Sequence, residues 1–173
     1  MNMEYKIKCE TPSDINEHLP VLCELSRECN HITEMGVRAY VSTWAFLEGL
    51  KGRNGTLISI DSMPPEYYGG NTVKVETSAK EMGVHFEFKH YSTLCIVIDP
   101  TDLLFIDTKH IYKQLKAELE RHSDKAKKYI VLHDVVSCKD ELIPAINELL
   151  ALGKWKIKKE YFNCNGLLIL EQI

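Results

Sequence analysis

The sequence is short of everything that would tie it to a membrane, an oxidising compartment or a nucleic acid. No stretch of its 173 residues approaches the roughly 20 apolar residues of a membrane span. The amino terminus, "MNMEYKIKCE", has no apolar core of signal-peptide length. The six cysteines (Cys9, Cys23, Cys29, Cys95, Cys138, Cys164) form no CxxC pair and no zinc-ligand spacing, so they read as reduced thiols of a cytoplasmic protein. Basic residues form no stripe on a chain of net charge -4, which argues against a nucleic-acid partner. The densest run, "KAKK" from Lys125 to Lys128, reads as a solvated helix end. Glycine and proline are scarce, at nine and six, and no repeat or low-complexity linker appears.

What is present is ordinary globular composition, 45% hydrophobic and 27% charged, at a length that predicts one domain. Residues 1–30 read as an amino-terminal arm and helix, and 31–173 as the core. In "HLPVLCELSREC", Pro20 stands where a first helical turn tolerates it, and Leu22, Leu25 and Cys29 recur at helical spacing. "HITEMG" reads as a first strand whose turn, "VRAYVST", leads into a helix. Strands follow at Thr56–Asp61, Val84–Lys89, Asp102–Asp107 and Lys128–Asp134, and the almost wholly apolar "DLLFID" is expected of a central parallel strand. Ile111, Leu115 and Leu119 share a helical face. A last helix is expected near Ser137, with Asp140 completing a capping box, Pro144 in an early turn, and Leu142, Ile146, Leu149 and Leu150 buried. "WKIKKEYF" and "CNGLLILEQ", with a turn at Asn163–Asn165, predict a closing antiparallel hairpin. The order of elements predicts an α/β fold: a Rossmann-like three-layer sandwich with a mostly parallel seven-stranded sheet.

In open parallel sheets ligands bind beyond the carboxyl ends of the strands. That rule selects Glu34 and Gly36 after the first strand, Asp61 after the second, Asp107 after the fourth, and His133 and Asp134 after the fifth. A carboxylate accepts hydrogen bonds from two neighbouring hydroxyls, so Asp61 suits a ribose; the alternative is that it caps a turn. His133 is open to a second reading as a satisfied core residue.

"EMGVRAYVST", followed in order by "LISID", "LLFIDTKHIYKQLKAEL" and "IVLHD", resembles the class I S-adenosylmethionine-dependent methyltransferases. The similarity is to the branch with an IDG-H-Y segment after the fourth strand and HD after the fifth, which includes metal-dependent sugar and macrolide O-methyltransferases. It covers roughly His31 to Ile173. The resemblance implies that Glu34 and Gly36 border the methionine part of the cofactor, that Ser42 and Thr43 supply hydroxyls there, that Asp61 holds the ribose and that Ser92 borders the adenine. It further implies a magnesium ion at Asp107 and Asp134, with His110 as the base that takes the proton of a hydroxylated acceptor. Glu118 stands where that branch often has another acid, and its place about two turns into the helix reads as structural.

The departures are local. The family's first motif carries further glycines, where this chain has Arg38, Ala39 and Tyr40, so the Tyr40 ring must point away or block the site. Tyr91 replaces the acid that usually bonds the adenine amine, and the loop from Val135 to Glu141 is short for a lid. The leading expectation is an O-methyltransferase acting on a small hydroxylated molecule such as a sugar. The alternative is a degenerate, non-catalytic Rossmann-like binding or assembly module, and a homo-oligomer is left open. A nicotinamide oxidoreductase fits worst, because no G-x-G-x-x-G follows the first strand.

Overall fold

The computed structural model describes residues 1–173. Seven strands form one sheet: β1 (His31–Met35), β2 (Thr56–Asp61), β3 (His85–His90), β4 (Thr101–Ile106), β5 (Ala126–His133), β6 (Trp155–Tyr161) and β7 (Leu167–Gln172). Their spatial order is β3-β2-β1-β4-β5-β7-β6, parallel except for β7, which runs antiparallel to β5 and to β6. Six helices accompany them: α1 (Met3–Glu10), α2 (Leu19–Ser26), α3 (Val41–Leu50), α4 (Thr72–Glu81), α5 (Tyr112–His122) and α6 (Lys139–Ala151).

Strand alternation divides the interior into two cores, because successive side chains leave a sheet on opposite faces. Leu103 and Phe105 of β4, with Tyr129 and Val131 of β5, face a core completed by α1 to α4. Leu104 and Ile106, with Ile130 and Leu132, face a second core under α5 and α6. These strands are apolar on both faces, as "DLLFID" suggested, because helices cover both.

Two helices have little sequence signal. In α1 the sole buried residue is Tyr5, and in α4 only Val75 and Ala79 are buried. Both are started by an asparagine: Asn2 accepts from the amides of Glu4 and Tyr5, and Asn71 accepts from that of Lys74. At α6 the expected capping box does not form. The Ser137 hydroxyl bonds Asp134 instead, Cys138 holds the cap position without a side-chain bond, and Pro144 lies inside the helix. Along α5 the buried face is Leu115, Glu118, Leu119 and His122, while Ile111 precedes the helix and is exposed.

The strand order reverses at β1, which lies between β2 and β4. Met35 pairs with Ile106 in register, so the turns after β1 and β4 emerge side by side. The Asp107 amide donates to Met35 O at 2.8 Å and the Gly36 amide donates to Ile60 O at 2.9 Å, extending the ladders one residue past the strands.

Candidate functional site

A cavity of about 340 Å³ opens above this reversal point. One side is built by Gly36 and Arg38 after β1, Ile60, Asp61 and Ser62 at the end of β2, and Ser92 and Thr93 beyond β3. Asp107, Thr108 and His110 after β4 complete the lining. Tyr68 and Ile60 supply its apolar surface. Gly36, Asp61, Ser92, Asp107 and His110 thus share one space, as expected from their positions at strand ends. Tyr91 is exposed and lies outside the wall.

Glu34 and Ser42 are placed differently. The Glu34 side chain is wholly buried beneath the turn, where its carboxylate accepts the hydroxyls of Ser42 (2.5 Å), Thr43 (2.8 Å) and Ser59 (2.6 Å). Ser42 reaches only a small hollow beside the main cavity. The acid therefore ties β1, β2 and the start of α3 together under the backbone that faces the cavity. Burial pushes its carboxyl up to about 7, against the three hydroxyl donors that favour the charged form. Between the ordinary value of 4.5 and about 7, the native state holds a proton that the unfolded chain has released, so stability falls as pH rises through that window. Glu34→Gln is expected to flatten this slope, which spans on the order of 2–3 kcal/mol; urea unfolding at several pH values between 5 and 8 measures it.

The turn itself keeps its path without the missing glycines. Gly36, Arg38 and Tyr40 all have left-handed backbone, with φ of +84°, +49° and +64°. A non-glycine residue there costs roughly 1–2 kcal/mol. For Tyr40, burial offsets that cost: its ring lies edge-on between Phe86 and Phe88, centroids 6.1 Å from each, and its hydroxyl pairs with that of Thr72 at 2.7 Å. The ring therefore points into the core and leaves the cavity open. Arg38 lies on the rim and donates to Asp14 at 2.5 Å. Asp61 braces the same turn, since one of its oxygens accepts the amides of Val37 (2.8 Å) and Arg38 (3.1 Å), and the other accepts that of Met63 (2.9 Å).

Asp107 and His110 belong to a four-membered charge cluster that the buried His133 and Asp134 complete behind the cavity. The His110 Nε2 lies 2.9 Å from Asp134 Oδ2 and 3.2 Å from Asp107 Oδ1. The His133 Nδ1 lies 3.1 Å from Asp134 Oδ2 and 3.5 Å from Asp107 Oδ1, while its Nε2 faces the carbonyls of Asp14 (3.1 Å) and Cys164 (3.0 Å). Every partner of His133 is an acceptor, so both ring nitrogens carry hydrogen and the ring is a cation. Burial alone would lower His133, but the two carboxylates overcome it and hold it well above the ordinary imidazole range. Asp107 and then Asp134 raise His110 in the same way. Burial opposes the charged form of both acids, and hydrogen bonds from His110 and His133 outweigh it, keeping both below the usual carboxylate range. His133 is thus a satisfied buried residue that also neutralises the site.

Thr93, Thr108 and Gln114 carried no distinguishing sequence signal and are organised by Glu118. Glu118 is fully buried and accepts from Thr93 (2.5 Å), Gln114 (2.8 Å) and Thr108 (2.8 Å). It fastens the segment after β3 and the turn after β4 to α5, the structural role its helical position suggested. Thr93, Thr108 and Gln114 then line the cavity from that anchor.

No family model matches the chain, and no curated protein matches it in sequence. Solved structures do match in fold. The chain is similar to a Corynebacterium glutamicum protein (TM-score 0.76, 14% identity, covering 99% of this chain and 90% of that one). It is also similar to the SAH-bound methyltransferase PaMTH1 of Podospora anserina (0.72, 11%, 100% and 89%). A third likeness is to an O-methyltransferase of Bacillus cereus in complex with SAH (0.69, 13%, 100% and 92%). The class these define is the Rossmann-like α/β sandwich with a closing antiparallel hairpin. This chain shares that fold with these structures over its whole length.

Proposed function

We propose that the chain is an S-adenosylmethionine-dependent O-methyltransferase acting on a small hydroxylated molecule, of the sugar class that the motif resemblance favours. The observation that carries this reading is the cavity at the reversal point, which Gly36, Asp61, Ser92, Asp107 and His110 line together, with Asp134 held against His110. The residues fit the cofactor. Oδ1 of Asp61, which takes only the Met63 amide, has unfilled acceptor capacity for a ribose hydroxyl, Tyr68 and Ile60 offer apolar surface, and Asp107 offers negative charge beside Gly36. Bound there, the cofactor would supply a sulfonium methyl group for in-line transfer to the acceptor oxygen, its own sulfur leaving as a neutral thioether. His110, which lines the same cavity as Asp61, would accept the hydroxyl proton.

In the arrangement described, His110 already holds a proton between the two carboxylates, and that proton has to leave before the imidazole acts as a base. Asp107 and Asp134 would hold a magnesium ion, with His133 Nδ1 within reach of both; its positive charge would replace the one His110 now provides. The free cysteines support a cytoplasmic setting, and the partner is a small-molecule acceptor.

Calorimetry with S-adenosylhomocysteine tests the reading. Asp61→Ala is expected to weaken binding by roughly tenfold or more, since a charge-assisted hydrogen bond is lost and the turn it braces is loosened. His110→Ala is expected to leave that affinity within about threefold while lowering turnover at least about 100-fold. Unchanged turnover would reject His110 as base. A second reading, a non-catalytic module, is favoured by the three backbone amides that already occupy Asp61. Absence of binding heat in the unsubstituted protein would decide for it.

A further inference from the structure

A second donor set meets at the edge of the charge cluster. His110, Asp134 and Cys138 each offer one ligand atom, and these atoms lie within 4.8 Å of one another. The three come from separate places: His110 from the turn entering α5, Asp134 from the end of β5, and Cys138 from the residue preceding α6. The backbone between the last two is closed tightly, with the Cys138 amide donating to Asp134 O at 2.9 Å and Asp134 in left-handed backbone at φ +61°. Ser137 holds both neighbours, donating to Asp134 Oδ1 at 2.9 Å and lying 3.7 Å from Cys138 Sγ. The Asp134 Oδ2 faces His110 Nε2 at 2.9 Å and His133 Nδ1 at 3.1 Å.

We propose that His110, Asp134 and Cys138 form a binding site for a thiophilic divalent cation of the zinc class. One nitrogen, one carboxylate oxygen and one sulfur are the donors of a tetrahedral zinc ion, with the fourth position left to water. A hard ion such as magnesium prefers oxygen ligands throughout and gains nothing from the sulfur. Bonds of about 2.0–2.3 Å place tetrahedral donors roughly 3.3–3.7 Å apart, so the three side chains need shift by only about an ångström to close on the ion. Binding involves no redox change: the ion displaces the Cys138 thiol proton and the proton that His110 shares with Asp134, and both pass to solvent. Because Asp134 belongs to this set and to the Asp107 pair, a thiophilic ion and a magnesium ion exclude one another. A filled zinc site also occupies His110 and so stops proton removal from an acceptor; this consequence rests on the proposed function, whereas the binding does not.

Cobalt(II) is the probe, titrated into the full-length, metal-free protein. One equivalent is expected to produce a sulfur-to-cobalt charge-transfer band in the near ultraviolet together with intense visible absorption of tetrahedral cobalt, both abolished by zinc. Cys138→Ser is expected to remove the charge-transfer band and weaken zinc binding at least roughly tenfold, and His110→Ala to weaken it similarly. Asp107→Asn and Cys95→Ser are expected to keep the band. Circular dichroism confirms that each variant is folded, and Cys138→Ala serves as a second variant should the serine disturb the turn. Octahedral cobalt without a charge-transfer band, or a band that survives both Cys138 substitutions, would overturn the site. Calorimetry with S-adenosylhomocysteine on the same sample separates the two readings. Nucleoside binding without the band rejects the metal site alone, and the band without nucleoside binding rejects the methyltransferase alone.

Discussion

Gly36→Ala is expected to cost at least about 4 kcal/mol of unfolding free energy and to abolish binding of S-adenosylhomocysteine. A Cβ at this position would sit 1.9 Å from Asp107 O, 2.5 Å from Asp107 C and 3.1 Å from Thr108 N. All three are backbone atoms of the neighbouring turn, so no rotation of a flexible side chain relieves the overlap. The turns after β1 and β4 would have to separate, breaking the bond from the Asp107 amide to Met35 O and displacing Asp107 from His110 and His133. Gly52→Ala provides the comparison. It has the same kind of left-handed backbone, at φ +72°, with open space around the added carbon, and is expected to cost only about 1 kcal/mol. Urea denaturation of the two variants isolates the steric part. Equal losses would show that the two turns are not packed against each other.

His133→Ala is expected to destabilise the protein by about 3–5 kcal/mol near neutral pH, because it removes the buried cation from two carboxylates and the donor from two carbonyls. The pH dependence identifies the cause. The raised His133 stabilises the native state fully below the ordinary imidazole value near 6.5, and that contribution is lost as pH rises through its higher folded value. The lowered Asp107 and Asp134 contribute above the ordinary carboxyl value near 3.8, and their share is lost as pH falls through their folded values. Between these limits the unsubstituted cluster holds its full strength. The deficit should therefore widen as pH is lowered from 8 to about 6.5, where the His133 contribution becomes complete, and shrink from there towards 4, because in the variant the carboxylates have only His110 and take up protons more readily. Thermal melts across that range measure it, and a deficit independent of pH would assign the loss to packing alone.

Much of the architecture was legible because β4 and β5 are apolar on both faces and because β2 ends on, and β4 runs directly into, an acid. Ile106 to Asp107 and Ile60 to Asp61 are local transitions, readable one residue at a time. The hairpin was equally plain, since Asn165 and Gly166 supply the left-handed backbone its turn requires. The helices α1 and α4 were not legible. Each buries one or two side chains, too few to set a period, and each owes its start to an asparagine cap.

The site was legible in part. Asp61, Ser92, Asp107 and His110 reach the cavity because a strand end at the reversal point has nowhere else to project its next residues. Glu34 and Ser42 match the same motif but turn inwards. Strand alternation places Glu34 below the turn, and burial is tolerable there because Ser42, Thr43 and Ser59 all donate to it. The route of the Tyr40 ring was likewise undecided by its position, since it depends on Phe86 and Phe88 from a strand two places away in the sheet.

By itself, then, the sequence determined the kinds and order of the elements, and with them the acids set at the strand ends, because hydrophobic period and turn chemistry act over a few residues. The tertiary structure decided which of those groups meet. That His133 stands between Asp107 and Asp134 with its far nitrogen on Asp14 and Cys164, and that Cys138 comes near His110, follow from strand order, register and the docking of α6. Such approaches join residues far apart along the chain, and their energies depend on burial and on every neighbour at once, which no local pattern encodes.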